Sequence, residues 1–255
     1  MGSERVLPRH LVDYLAPVER RWYGDDPSQF VDIAVPSADS VGVVVSYHGG
    51  YWRAKYGLDL HDPILGHCVA QGWTVVNVEY RRVEPGGPGV WDEMSSDVIA
   101  AAELARQTST GPLVALGHSA GGHLALWLAA QRRPPIDAVV ALAPVTNLFL
   151  TDDLQLSDHA TAQLFGTPAH GAPERYREAS PIHLLPLGVP QLVVHGPRDE
   201  AVPYETAVEY VEAATQLGDD VTFVNPDAIN HLDVIDPTHP VWREVDTFLD
   251  AQRPE

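Results

Sequence analysis

The stretch ALGHSAGGHLALWL, residues 115–128, decides the fold that the rest of the chain has to fit. Within it Gly117, Ser119 and Gly121 follow the pattern G-x-S-x-G, between an apolar run that predicts a strand and one that predicts a helix. A sharp strand-to-helix turn strains its central residue and needs small residues two positions to either side, because the backbones approach closely there. Such a turn lifts the Ser119 hydroxyl clear of the sheet and sets it beside the positive end of the helix. The pattern therefore marks Ser119 as a candidate nucleophile.

Strands and helices alternate on both sides of this stretch. The predicted strands lie at residues 30–36, 41–47, 73–80, 112–117, 136–143, 190–196 and 220–225. The predicted helices lie at 63–71, 90–107, 120–131, 204–218 and 241–252, with a short or broken helix at 10–23. The alternation predicts an α/β fold with a mostly parallel, doubly wound sheet flanked by helices.

Residues 145–187 interrupt the alternation, because they contain helical pieces but no clear strand. An excursion of that length between two strands is typical of a lid or cap. We therefore expect a single α/β domain over residues 1–255, with a helical lid inserted at 145–187. The alternative is a surface insertion without a role, although long excursions more often carry function.

Ser119 needs a base to take its proton, and that base needs an acid to orient it. In a doubly wound sheet such partners follow the carboxyl ends of later strands. The segment PRDEAVP offers Asp199, with Glu200 as the alternative, and the segment PDAINHLDVID offers His231. The sequence therefore predicts Ser119 as nucleophile, His231 as base and Asp199 as orienting acid, in the chain order Ser, Asp, His.

The segment HGGYW, residues 48–52, follows the predicted strand VGVVVSY. Acyl transfer passes through a tetrahedral oxyanion, which backbone N–H groups stabilise. One donor is the amide of Ala120, the residue after the nucleophile, and another must come from a loop after an early strand. The two glycines would let this loop point the amides of Gly50 and Tyr51 at the substrate oxygen. We expect Gly50, Tyr51 and Ala120 to form the oxyanion hole, and a plain Gly-Gly turn is the alternative.

The remaining titratable residues have simpler interpretations. Asp227, Asp233, Asp236 and His239 crowd His231 but lack a compact metal-ligand spacing, so we expect no metal. Structural hydrogen bonds are expected for His118, His123, His195 and Asp97. Cys68 is expected to be a buried, unreactive thiol.

The composition limits the partners. With 35 acidic and 16 basic residues the formal net charge is −19, so the chain repels phosphate backbones and anionic membrane surfaces. A single cysteine excludes an internal disulfide and a thiolate zinc cluster. No run reaches membrane-spanning length, and the first residues lack the apolar stretch of a signal peptide. We expect a soluble, cytoplasmic protein that acts on a small molecule without a cofactor, nucleic acid or membrane, while the oligomeric state stays open, a homodimer included.

These motifs resemble an α/β-hydrolase-fold serine esterase over nearly the whole chain, from VVVSYHGGYW through GHSAGGHLALWLA and VHGPRDEAVP to NHLDVID. HGGYW is similar to the H-G-G-x-W motif of the arylformamidase (kynurenine formamidase) branch, and it departs from the H-G-G-G of hormone-sensitive-lipase-like esterases. NVEYRR and the ASP at 179–181 resemble the broader group of small bacterial carboxylesterases, which includes feruloyl and acetyl esterases and prolyl-oligopeptidase-like sequences. A separate propeller domain, as in a true prolyl oligopeptidase, is not expected in 255 residues.

The resemblance implies a carboxylesterase or arylformamidase-like enzyme that cleaves small esters or aryl formamides through an acyl-enzyme. Candidate walls of its substrate pocket are Tyr51, Trp52, Leu148, Phe149 and Phe165, with plain core packing as the alternative. Two other functions stay open: an acyltransferase or cyclase that uses the same triad but excludes water, and a non-catalytic hydrolase-fold ligand-binding protein. A non-catalytic protein would need neither a complete triad nor an oxyanion loop.

Overall fold

One sheet of eight strands organises residues 18–254, the part of the chain that the computed structural model describes. The strands are β1 (Glu19–Trp22), β2 (Phe30–Ala34), β3 (Val43–Tyr47), β4 (Thr74–Val78), β5 (Leu113–His118), β6 (Ala138–Leu142), β7 (Gln191–Val194) and β8 (Val221–Val224). The helices are α1 (Asp62–Ala70), α2 (Trp91–Arg106), α3 (Ala120–Gln131), α4 (Leu148–Asp153), α5 (Leu156–Phe165), α6 (Pro173–Ala179), α7 (Tyr204–Gln216) and α8 (Trp242–Asp250). Short 3₁₀ helices lie at Leu58–His61, Ala169–Gly171, Pro181–His183 and Asp233–Ile235.

The strand order is β1-β2-β4-β3-β5-β6-β7-β8, and the sheet is parallel from β4 to β8. β2 pairs antiparallel with β4 and with β1. The chain leaves β3 toward β4 on one side and leaves β5 toward β6 on the other, so neighbouring β3 and β5 flank a topological switch point. Ligand sites of parallel sheets lie beyond the carboxyl ends of the strands at such a point. The mostly parallel α/β architecture predicted from the sequence is confirmed.

Helices cover both faces of the sheet, which explains the continuous apolar runs in its central strands. Alternate residues of β3 belong to different cores: Val43 and Val45 lie in the same apolar cluster as residues of α2 and α3. Val44 lies in the cluster that contains residues of α1 and α8. All five residues of β3 are buried, so the only place where this strand can present chemistry is the loop at its end.

The first strand corrects one expectation. Residues 19–22, part of the broken helix expected at 10–23, form β1 instead, while residues 10–17 lie outside the described residues. The segment ERRW lacks the apolar alternation of a strand, and pairing with β2 places it at the sheet edge. There the Arg20 guanidinium donates two hydrogen bonds to Asp32, at 2.7 and 2.8 Å. These contacts depend on residues that follow later in the chain, so a local pattern does not reveal them.

Helices α4, α5 and α6 all lie between β6 and β7, within the region expected to form a lid. Asn147 caps α4 by accepting hydrogen bonds from the amides of Phe149 and Leu150. Helix α5 is regular only after His159, because Ser157, Asp158 and His159 have φ angles of 49° to 57°. Among the helices of residues 18–254, none is both long and apolar enough to cross a membrane.

Candidate active site

Ser119 occupies a strained turn between β5 and α3. Its φ of 56° and ψ of −120° are unusual for a residue with a side chain, and it is only 1% exposed. A Cβ atom on Gly117 would lie 2.0 Å from the Gly121 carbonyl oxygen, and one on Gly121 would lie 1.9 Å from the Tyr47 carbonyl oxygen. Side chains at these two positions would therefore push apart the backbones that form the turn, which accounts for the glycines of the G-x-S-x-G pattern.

Asp199 and His231 meet beyond the ends of β7 and β8. One carboxylate oxygen of Asp199, Oδ1, accepts hydrogen bonds of 2.8 Å from the amides of Ala201 and Val202. The other, Oδ2, lies 2.7 Å from Nδ1 of His231. This arrangement fixes the Asp199 side chain within its own loop, and it leaves Nε2 as the His231 nitrogen that is not bonded to Asp199.

The Asp199 carboxyl group is held in its ionised form. Its side chain is 1% exposed, and burial by itself would raise its pKa. Hydrogen bonds from His195 and His231, together with the His231 charge and the Val202 amide, instead keep the pKa well below its usual range. A buried, ionised carboxylate next to an imidazole stabilises the protonated imidazole, as a general base requires.

His195 is a second imidazole in contact with this carboxylate. Its Nε2 lies 3.1 Å from the Val202 carbonyl oxygen, which confirms the structural hydrogen bond expected for it. The same nitrogen lies 3.0 Å from Oδ2 of Asp199, a contact that sequence reasoning missed. The only signal for it was the place of His195 at the end of a strand, four residues before Asp199.

The HGGYW loop lies directly against the turn that carries Ser119. Gly50, Tyr51 and Trp52 have φ angles of 114°, 49° and 59°, so three consecutive residues adopt left-handed conformations. A Cβ atom on Gly49 would lie 2.9 Å from Nδ1 of His118 and 3.1 Å from Cβ of Ser119. A side chain at position 49 would therefore crowd the two segments.

Ala120 is the first residue of α3, where the first N–H groups of a helix have no partner within the helix. Its amide therefore lies at the positive end of α3, next to the Ser119 side chain. The structure thus brings all three residues expected in the oxyanion hole, Gly50, Tyr51 and Ala120, to the same place as Ser119. Their role as oxyanion donors stays a prediction.

A buried cluster behind the loop holds it in place. His48 directs Nδ1 at the Gly49 carbonyl oxygen, at 2.8 Å, and Nε2 at the Glu79 carboxylate, at 3.1 Å. The Tyr80 hydroxyl donates to the His48 carbonyl oxygen at 2.7 Å, and its ring stacks on the imidazole with a centroid distance of 4.5 Å. Burial would raise the pKa of Glu79, but His48, Arg82 and the Leu58 amide lower it. Sequence reasoning missed these supports, although NVEYRR contains both Glu79 and Tyr80.

His118 connects the turn that carries Ser119 to the loop of His231. Its Nε2–H donates to the His231 carbonyl oxygen at 2.8 Å, and the two ring centroids are 4.6 Å apart. Burial, and then the nearby His231, lower the pKa of His118 to about 3. His118 therefore stays neutral near neutral pH, which fits the structural hydrogen bond expected for it.

A cavity of about 270 Å³, here called the inner cavity, opens at Ser119. Its lining consists of Gly50, Tyr51, Tyr56, Leu60, His118, Ser119, Ser157, Ala201, His231, Leu232 and Ile235. Ser119 and His231 therefore face one space, together with two of the expected oxyanion residues. None of the lining residues is Asp, Glu, Lys or Arg, although the chain has a net charge of −19.

Of the candidate pocket walls, only Tyr51 lines the inner cavity. Trp52 is fully buried beneath the loop and donates its indole N–H to Nδ1 of His123 at 3.3 Å. Leu148 is fully buried as well. Phe149 and Phe165 pack on Tyr176, with ring centroids 5.6 and 4.3 Å away.

For Trp52, Leu148, Phe149 and Phe165 the structure thus favours the alternative of core packing. Large apolar side chains of a helical insertion bury more area against each other than against a small cavity. The insertion reaches the inner cavity through Ser157 instead. Arg53, which follows the HGGYW loop, donates to the backbone carbonyl groups of Ser157 and Asp158.

Two further expectations concern metals and thiols. Within residues 18–254, no group of three or more His, Cys, Asp or Glu side chains is placed to hold a metal ion. Cys68 is buried, and burial, together with the charge of Asp246, raises the pKa of its thiol to about 12. A thiol with so high a pKa is a poor nucleophile near neutral pH.

Several known proteins are similar to this chain in sequence or in fold. A sequence profile of the prolyl oligopeptidase family matches residues 92–250, a range that contains Ser119, Asp199 and His231. Esterase LipC of Mycobacterium tuberculosis is 28% identical over 221 residues, which cover 74% of this chain and 53% of LipC. The chain therefore spans about half the length of LipC. Kynurenine formamidase of Danio rerio is 24% identical over 251 residues, which cover 92% of this chain and 80% of that protein.

Among solved structures, a truncated carbohydrate esterase from gut microbiota resembles this chain with a TM-score of 0.81 at 18% identity. The match covers 94% of this chain and 97% of that one. At this level of identity the likeness concerns the fold alone. The fold is that of the α/β-hydrolases, as the order of strands and the place of Ser119 predict.

Proposed function

The chain belongs to the prolyl oligopeptidase family, and we propose that it is a serine hydrolase that cleaves small carboxylic esters through an acyl-enzyme. The observation that carries the proposal is the inner cavity. It is lined by Ser119, in a strained turn, and by His231, whose Nδ1 is bound to the ionised Asp199 at 2.7 Å. A ligand-binding protein without catalysis would not require this combination.

The proposed reaction has two halves. Ser119 Oγ attacks the carbonyl carbon while His231 Nε2 accepts its proton, and Asp199 stabilises the imidazolium. The oxyanion is bound by the amides of Ala120 and of Gly50 or Tyr51. His231 then gives the proton to the leaving oxygen, the C–O bond breaks, and the acyl group stays on Ser119. Water, deprotonated by His231, then attacks the carbonyl carbon of this ester. The bond between the acyl group and Ser119 Oγ breaks, His231 returns the proton to Oγ, and the carboxylic acid leaves.

Aryl formamides are the second candidate substrates, and the HGGYW loop favours them. The H-G-G-x-W pattern resembles that of the arylformamidase branch, and the alignment with Danio rerio kynurenine formamidase covers more of both proteins than the alignment with LipC does. A formyl group is the smallest acyl group, so it fits a small inner cavity. An acyltransferase or cyclase would use the same residues, and it would differ in keeping water from the acyl-enzyme.

The lid assignment of residues 145–187 belongs to the same proposal. Ser157 contributes to the wall of the inner cavity, and the Arg53 guanidinium ties this part of the insertion to the oxyanion loop. We assign the segment as a cap that forms one wall of the site within a single domain. A cytoplasmic location stays a prediction.

A substrate panel tests the proposal. We expect the wild-type protein to hydrolyse p-nitrophenyl acetate and Ser119→Ala to lose the activity to the background rate, because the acyl-enzyme of the proposed reaction forms on Ser119. Ser96→Ala is the matched control, since Ser96 lies on the exposed side of α2, where its hydroxyl bonds only to the Asp92 carbonyl oxygen. Equal rates for wild type and Ser119→Ala would refute the catalytic assignment. Formate release from N-formylkynurenine decides the second candidate, and its absence beside ester cleavage would reject it.

A further inference from the structure

A second cavity adjoins the inner one on the far side of His231. This outer cavity has a volume of about 570 Å³ and is lined by Arg198, Glu200, Ala201, Asn230, His231 and Leu232. Ala201, His231 and Leu232 line both cavities, so His231 stands at their junction. Leu232 is 62% exposed, the highest value among the exposed large apolar residues of the described chain.

The inner cavity is small compared with the pockets that bind drug-sized ligands. Pockets for drug-sized ligands occupy about 300–1,000 Å³, whereas the inner cavity has about 270 Å³. Tyr56, Leu60 and Ile235 are among the residues that line it. An uncharged, largely apolar fragment of a substrate fits such a space, and the part of a larger substrate that does not fit has to lie outside it.

The chemistry of acyl transfer decides which half lies where, provided that the proposed function holds. The acyl group becomes bonded to Ser119, and Ser119 lines the inner cavity but not the outer one. The leaving oxygen takes its proton from His231 as the C–O bond breaks, so the leaving group lies on the His231 side. We infer that the inner cavity binds the acyl group and that the outer cavity binds the leaving group.

The outer cavity also carries charges that nothing in the described chain neutralises. Arg198 and Glu200 are both exposed, and neither has an oppositely charged group within 4.0 Å among residues 18–254. Many other arginines of this acidic chain are paired, for example Arg20 with Asp32 and Arg81 with Asp97. Arg198 therefore offers a cation, and Glu200 an anion, that is unpaired within residues 18–254 to a leaving group beside His231.

The linings of the inner and the outer cavity together define a substrate class. It consists of esters of a short apolar acid with a polar alcohol or phenol that bears a charged group. Arg198 favours a carboxylate on that group, and Glu200 favours an ammonium. Both side chains are solvated, so each contact is expected to change kcat/KM by roughly two- to five-fold.

Three phenyl acetates with the same acyl group test the outer cavity: 4-methylphenyl acetate, 3-(4-acetoxyphenyl)propanoate and O-acetyltyramine, which carry neutral, anionic and cationic leaving groups. Arg198→Gln should lower the ratio of kcat/KM for the anionic probe to that for the neutral probe by roughly two- to five-fold. Glu200→Gln should do the same for the cationic probe. The control variants Arg243→Gln and Glu212→Gln make the same charge changes at exposed helix positions outside both cavities. They should leave the ratios unchanged, and equal shifts in controls and test variants would overturn the proposal.

A series of p-nitrophenyl esters from acetate to hexanoate tests the inner cavity. Leu60→Trp should lower the ratio of kcat/KM for hexanoate to that for acetate, and Leu60→Ala should raise it. Each methylene group in contact with the wall is worth roughly four-fold. The opposite outcome is that the Leu60 variants change the ratios of kcat/KM between charged and neutral phenyl acetates, or that Arg198→Gln changes the ratio of hexanoate to acetate. Either result would show that the acyl group and the leaving group had been assigned to the wrong cavities.

The same measurements separate the two proposals. If none of the esters is hydrolysed in a manner that Ser119→Ala abolishes, the proposed function fails. If the esters are hydrolysed but the ratios do not respond to Arg198, Glu200 or Leu60, only the assignment of the two cavities fails. Thermal unfolding of each variant shows that it is folded, and since Leu60→Trp and Leu60→Ala act in opposite directions, either of them alone keeps the inner cavity testable.

Discussion

Replacing Asp199 with asparagine removes the charge that orients His231 but keeps the shape of the side chain. The carboxylate lies 2.8 Å from the amides of Ala201 and Val202, 2.7 Å from Nδ1 of His231 and 3.0 Å from Nε2 of His195. The amide oxygen of asparagine can keep both backbone hydrogen bonds. Its NH₂ group then faces His231 Nδ1 as a donor, so it favours the tautomer that carries its proton on Nε2.

An imidazole that is protonated on Nε2 cannot accept the Ser119 proton. We expect kcat to fall by about 10⁴-fold, equivalent to about 5 kcal/mol of transition-state stabilisation. KM should change little, because Asp199 lines neither the inner nor the outer cavity. The free energy of unfolding should fall by about 1–3 kcal/mol, since the two buried imidazole contacts lose their charged acceptor.

The pH dependence of stability gives a second readout. In the folded protein the pKa of Asp199 lies well below its usual range, so the ionised group stabilises the fold above the pKa of the unfolded chain, about 4. This contribution is lost as the pH falls from about 4 through the folded pKa. The stability difference between wild type and Asp199→Asn should therefore be full at pH 7 and should shrink below about pH 4.

The assay is steady-state hydrolysis of p-nitrophenyl acetate, with urea unfolding at several pH values. Asp227→Asn serves as the comparison, because Asp227 is an exposed carboxylate on the same loop as His231, four residues before it. Activity of Asp199→Asn within ten-fold of wild type would refute the reasoning. If Glu200→Gln or Asp227→Asn then lost more than a thousand-fold, the acid role would pass to that residue.

Two more substitutions test the tight turn around Ser119 and the structural role of Asp97. Gly121→Ala should lower both kcat/KM and the free energy of unfolding, the latter by about 1–3 kcal/mol, because the new Cβ would lie 1.9 Å from the Tyr47 carbonyl oxygen. Chemical denaturation and ester hydrolysis measure the two effects, and an unchanged protein would show that the turn tolerates a side chain. Asp97→Asn should cost about 2 kcal/mol of stability while kcat/KM stays within about three-fold, because Asp97 accepts hydrogen bonds from Arg81 and Gln29 away from both cavities. A large loss of kcat/KM without a loss of stability would contradict this structural role.

The central strands could be predicted from the sequence because they are buried on both faces. In β3 and β4 every residue is buried, so each position is apolar or hydrogen-bonded and the run is visible without knowing its neighbours. The edge strand β1 was missed because its side chains are mostly polar. They form hydrogen bonds with solvent at the surface, and Arg20 forms hydrogen bonds with Asp32. The local hydrophobic pattern predicts a strand where every residue of that strand is buried. It does not predict a strand whose conformation depends on pairing with one neighbouring strand.

The residues of the candidate site also fall into those that the sequence predicts and those that it does not. Gly117, Ser119 and Gly121 could be recognised because a turn that tight restricts its own neighbours. Asp199 and His231 could be placed because the loops after parallel strands meet at one edge. The contacts that hold the HGGYW loop could not be predicted, since the contact between His48 and Glu79 joins segments that only the sheet brings together.

By itself, then, the sequence determined the α/β fold, the strained turn at Ser119 and the loops that carry its partners, because each depends on short-range geometry or on continuous burial. Only the tertiary structure decided which side chains line the cavities. It buried Trp52 beneath the loop, turned Phe149 and Phe165 toward Tyr176, and placed Arg198 and Glu200 in the lining of the outer cavity beside His231. The physical reason is that a cavity wall is the surface that remains after large apolar groups have packed against each other, and this outcome depends on contacts between segments distant in the chain.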